Sequence, residues 1–194
     1  MCVKFWTRRT RMSKKVVAVF IGHGNSTNGA WDSGCTYKGY TEAGLMKPIT
    51  GACVAYLRGS GVKVITDYPG NKINMIEQVS KSNKKDVACH VAFHCDWSKA
   101  PSGTLPLYTS AKGRKLATLM NKYVMKYVGI KTLGVAKRTD LYELNQTDAP
   151  AVIFECGSIK KDLKKMRKKY DAYGKGAAKG ICKYLGVKFT GKKA

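Results

Sequence analysis

Apolar positions along this chain fall into two rhythms that alternate: short unbroken runs, and stripes that recur every three or four residues. VVAVFIG (16–22), DVACHVAFHCD (86–96) and APAVIFECG (149–157) are runs of the length expected for strands buried on both faces. VKVITD (62–67) alternates β-branched residues after the turn Gly59-Ser60-Gly61, and TLPLYT (104–109) reads as a further strand whose Pro106 predicts an edge position. Between the runs lie helical stripes: Leu45, Ile49, Cys53, Val54, Tyr56 and Leu57 in 41–61, where Pro48 predicts a late start or a kink. A shorter stripe is Ile73, Ile76 and Val79, and the clearest is Leu116, Leu119, Met120, Tyr123, Val124 and Tyr127. A lysine-rich helical stretch closes at Gly186, a C-cap signal. Strands alternating with helices predict a single α/β domain, a twisted, mostly parallel mixed sheet flanked by helices on both faces. Residues 1–15 read as a basic arm, 16–186 as the domain and 187–194 as a basic tail.

The polar residues that interrupt this pattern are concentrated where the runs end. His23 follows the first run, His94 closes the third-strand run and Glu155 the last, while Glu42 opens the first helix after a Gly/Asn/Ser-rich loop. Open α/β sheets bind ligands at strand carboxyl ends. Catalytic zinc takes three N or O ligands and keeps a position for water, with a carboxylate outside the ligand set to move the proton. His23, Glu42 and His94 supply such a triad, and Glu155 the carboxylate. His90 shares the His94 face of the strand by alternation, but it sits mid-strand between apolar neighbours, whereas His94 lies at the end beside Asp96. Asp32 and Asp96 are candidates for orienting hydrogen bonds to the ligands.

Charge changes the picture next. The formal net charge is +24, with dense runs at 81–85 and 160–169, and so large an imbalance points to an anionic partner such as wall polymer, lipid or nucleic acid. Seven scattered cysteines without a C-x-x-C pair read as reduced thiols of a cytoplasmically made chain, and Cys53, Cys89, Cys156 and Cys182 as small core residues. No secretory signal and no transmembrane run is legible. Two rival functions follow from these features. A cysteine hydrolase is suggested by Cys95 beside His94 and Cys156 beside Glu155, although strand neighbours face opposite ways. A nucleic-acid binder is suggested by lysines interleaved with Tyr170, Tyr173 and Tyr184, but no specific recognition motif accompanies them.

VFIGHG, TEAGL, DVACHVAFHCD and PAVIFECGSIKKDL, in that order and spacing, resemble the zinc-dependent N-acetylmuramoyl-L-alanine amidase family of cell-wall hydrolases and phage endolysins over residues 16 to about 186. The resemblance implies Zn2+ held by His23, Glu42 and His94, with Glu155 as general base and then acid. It implies a peptidoglycan substrate, cut by zinc-activated water at the amide joining the lactyl group of N-acetylmuramic acid to L-alanine. An endolysin made in the cytoplasm would reach the wall by holin-dependent release, with the positive surface attracted to anionic wall polymers. Members commonly carry Asn at the position of Asp96 and Arg near the end of the second strand, where this chain has Asp67 and Tyr68.

Overall fold

The computed structural model describes residues 16–194; the basic arm expected at 1–15 lies outside the described residues. In chain order the elements are β1 (Val16–Ile21), the two-residue strands β2 (Gly24–Asn25), β3 (Trp31–Asp32), β4 (Thr36–Tyr37) and β5 (Tyr40–Thr41), then α1 (Glu42–Gly59), β6 (Lys63–Ile65), α2 (Met75–Lys84), β7 (His90–Asp96), β8 (Leu105–Tyr108), α3 (Ala111–Val128), β9 (Ala136–Lys137), α4 (Tyr142–Gln146), β10 (Ala151–Ser158), α5 (Leu163–Lys168) and α6 (Tyr170–Leu185). Six strands form one sheet in the order β6-β1-β7-β10-β8-β9. The first four run parallel and β8 runs antiparallel to β10, so the sheet is mixed and mostly parallel, as the alternation of runs and stripes predicts.

The apolar runs are buried on both sides because helices cover both faces. Val17, Val19 and Ile21 of β1, Val91 and Phe93 of β7, and Val152 and Phe154 of β10 join α1, α3 and α6 in the main core. The opposite faces of the same strands meet smaller clusters beneath α2 and α4, built on Ala18 and Phe20 and on Ile153 and Leu144. His94 and Glu155 belong by alternation to this second face, under the two short helices. On the main face, α6 lies directly on α3: a Cβ at Gly180 would stand 2.5 Å from Met120 Cα. Residues 187–194 form no helix or strand; Val187 and Phe189 pack on the core, and Ala194 N–H donates to Ala55 O at 3.1 Å.

Four local expectations are corrected. The first helix begins at Glu42, ahead of Pro48, because Thr41 caps it by accepting from Gly44 N–H at 3.1 Å. In α2 the cap falls on Asn74 in a capping box, which rotates Ile76 into solvent and turns Gln78, Val79 and Ser82 inward. In α3 the buried face is Leu116, Ala117, Met120, Val124 and Val128, and Tyr127 lies exposed, because the backbone of α6 packs against that face. The strand holding Pro106 lies one in from the edge: β9 flanks Leu107 and Tyr108 without extending to the proline.

Candidate metal centre

Three adjacent parallel strands deliver the predicted residues to one rim. The chain leaves β1 at Gly22, where no side chain fits because a Cβ would stand 2.4 Å from Phe93 O and 2.6 Å from His94 Cε1. His23 then takes a left-handed backbone, φ 63°, which swings its ring back over the end of the sheet. His94 and Glu155 are register partners on β7 and β10, and the register shifts just past Glu155, a bulge at the strand end.

Glu42 comes from the far side of the loop. It is the first residue of α1 and is buried, 3% exposed, with its carboxylate used on every side. Oε2 accepts from Cys35 N–H at 3.1 Å and Oε1 from Cys95 N–H at 2.9 Å. His23 Nε2 lies 3.2 Å from Oε2 and His94 Nδ1 3.0 Å from Oε1. The ligand atoms of His23, Glu42 and His94 all lie within 4.8 Å of one another. Two imidazole nitrogens and a carboxylate oxygen at that separation are a donor set that could hold a metal ion. Cys35 and Cys95 flank Glu42 and make a second grouping with it, their sulfurs 4.0 Å apart.

The electrostatics fit a cation. Burial pushes the Glu42 carboxyl up, but the hydrogen bonds and charges of both histidines outweigh it and leave the group below its ordinary value. Burial works downward on His23 and His94, yet Glu42 lifts the first and Glu143 with Glu42 lifts the second, so both rings are raised. Glu155 is the outlier: burial, opposed by His94 and reinforced by Glu42 and Asp96, pushes it up to about 7. Its Oε2 is buried and has no hydrogen-bond partner, a costly state for a carboxylate unless a water, a metal or a substrate atom is its counterpart. Asp32, Glu42, Asp67, Asp96, Glu143 and Glu155, half of the chain's 12 acids, are gathered in this region of a protein of charge +24.

Of the other residues singled out in the sequence, Asp32 holds His23 Nδ1 at 2.8 Å. Asp96 instead accepts from Trp97 N–H at 2.8 Å. His90 is fully buried beneath the rim with its Nδ1 2.8 Å from Ser82 Oγ, outside the metal grouping. Asp67 anchors the end of β1: its carboxylate accepts from Ile21 N–H at 3.1 Å and from Gln78 Nε2 at 2.9 Å. The sequence reading passes over Glu143, on the five-residue α4, which is 4% exposed and lies 3.8 Å from His94 Nε2. A cavity of about 240 Å³ opens over His23, Asp32, His94 and Glu143. The two thiols adjoining the site residues in sequence are unsuited to attack: burial raises Cys156, and the Cys35 contact raises Cys95; burial also raises Cys53 and Cys89.

Residues 17–185 match the family model described as N-acetylmuramoyl-L-alanine amidase. No curated protein sequence matches. Among solved structures, the amidase AmiC2 of Nostoc punctiforme superposes with a TM-score of 0.80 at 22% identity, covering 90% of this chain and 98% of that one. The CwlV catalytic domain from Bacillus (Paenibacillus) polymyxa gives 0.78 at 21% identity, with 90% and 99% covered. The catalytic domain of the CD27L endolysin, which targets Clostridia difficile, gives 0.73 at 20% identity, with 87% and 97% covered.

Proposed function

Because this chain belongs to the N-acetylmuramoyl-L-alanine amidase family, we propose that it is a zinc-dependent peptidoglycan amidase of the endolysin type, cutting between the lactyl group of N-acetylmuramic acid and L-alanine. The observation that carries the reading is the convergence of His23, Glu42 and His94 beside the unpartnered Glu155 oxygen. His23 Nε2, His94 Nδ1 and a Glu42 oxygen would hold the ion, and zinc bound there supplies Lewis acidity toward water and toward the scissile carbonyl. Glu155 takes the proton from the attacking water and delivers it to the departing amine of L-alanine. In the metal-free protein burial pushes that carboxyl up to about 7, toward the range in which one group both accepts and releases a proton at neutral pH. Asp32, on the far nitrogen of His23, fixes that ring's orientation.

The cationic surface complements this chemistry. Lys160, Lys161, Lys164, Arg167 and Lys168 are exposed, and Arg167 stacks over Tyr40, in the hairpin that leads directly into Glu42. Anionic wall polymer is the partner this face suits. No helix among the described residues is long and apolar enough to cross a membrane.

Zinc content and muropeptide products test the reading. Glu155→Ala is expected to keep fold and zinc and to lose turnover, whereas His94→Ala loses zinc. Turnover that survives chelation and Glu155→Ala but stops with iodoacetamide would replace zinc with thiol chemistry.

A further inference from the structure

The two histidines of the metal grouping are held differently, and the difference leads to a residue outside every motif of the chain. His23 presents Nε2 to Glu42 and gives Nδ1 to Asp32. His94 presents Nδ1 to Glu42, and on its other side Nε2 faces Glu143 Oε2 at 3.8 Å. Metal-bound imidazoles are oriented by a partner on the nitrogen that does not bind the metal. Glu143 faces that nitrogen of His94 at ion-pair rather than hydrogen-bond distance.

A second histidine stands at its other oxygen. Glu143 Oε1 lies 3.4 Å from His90 Nε2, an ion-pair distance that falls short of hydrogen-bond geometry. His90 Nδ1 meets Ser82 Oγ at 2.8 Å, and that hydroxyl donates to Gln78 O at 3.0 Å. The serine–histidine–glutamate order has the look of a nucleophile relay, but Ser82 and His90 are 1% and 0% exposed, so no substrate reaches the hydroxyl. A buried chain of polar groups that ends on a candidate metal ligand instead supports that ligand.

We propose that Glu143, braced by His90 and Ser82, is a positioning residue that orients the His94 ring through Nε2 so that Nδ1 is directed, with Glu42 and His23, at the metal. The proposal rests on the zinc reading above. It gives the α2–α4 face of the sheet a purpose, since both short helices carry parts of the brace.

The test is the zinc dissociation constant of the full chain, measured by competition with a chromophoric chelator, for wild type and Glu143→Gln. The substitution keeps size and removes charge. Binding is expected to weaken 10- to 100-fold, with altered d–d bands in the Co2+-substituted protein and an undiminished melting temperature of the metal-free form. Equal zinc affinity in the two proteins overturns the proposal. If Glu143→Gln does not fold, His90→Gln removes the brace alone, and the expected result is a smaller weakening; unchanged affinity there overturns it equally. Wild type that binds no zinc, or His94→Ala that binds it unchanged, would bring down the zinc reading and this proposal with it. Tight wild-type binding with an indifferent Glu143→Gln brings down this proposal alone.

Discussion

Glu155→Gln separates what the site needs for chemistry from what the fold needs for stability. In the unfolded chain the carboxyl ionises near 4.5, but in the folded protein burial moves it to about 7. Because the folded value is the higher one, the native state favours the proton. The resulting contribution to stability is complete below 4.5 and is lost as pH rises through 7. The interval from 4.5 to about 7 is worth about 3 kcal/mol. Glutamine has no charge to desolvate but leaves a buried amide without partners, which returns about 1 kcal/mol of that gain. At pH 8, with chelator present, the variant is therefore expected to be about 2 kcal/mol more stable than wild type, or about 5 °C in melting temperature for a domain of this size. At pH 4 the gain disappears. Urea denaturation of both proteins across that range is the measurement, with muropeptide release confirming that turnover is lost. A difference that does not change with pH, or a wild type that gains on the variant as pH rises, would refute the reasoning.

Three other outcomes follow from the same geometry. Zinc affinity should fall as pH drops from 8 to 6, because His23 and His94 are both raised and their protons must leave before a metal enters; chelator competition showing a flat response would contradict this. Gly180→Ala places a methyl 2.5 Å from Met120 Cα, pushes α6 off α3, and should cost about 1–3 kcal/mol in urea denaturation of the metal-free protein, without altering the zinc stoichiometry. Sedimentation with purified walls should weaken as salt approaches 1 M, where charges are screened within about 3 Å, and a variant with the 160–169 cations neutralised should show a shallower salt dependence; retention indifferent to both would exclude an electrostatic wall contact.

What the sequence made legible divides along a physical line. β1, β7 and β10 stand out because a strand covered on both faces must be apolar throughout, so His23, His94 and Glu155 are conspicuous as the polar residues that end such runs. Glu42 carries no comparable signal. An acid in a first helical turn is ordinary, and beyond the loop that precedes it the family resemblance is what weighs for it. Glu143 is hidden more deeply: α4 has five residues, less than two turns, so no periodic stripe marks which side faces inward, and its neighbours in 135–150 are polar. The inward-facing Gln78 and Ser82 break the apolar stripe of α2 for a related reason, since they bond to Ile21 O and to His90, residues far apart in the chain. A buried polar side chain is stable only through partners that the fold brings to it, and those partners have no fixed spacing along the sequence. The local pattern therefore marks the strand ends where the candidate metal grouping lies, while the buried polar residues packed behind it become visible only when β7 is laid beside α2 and α4.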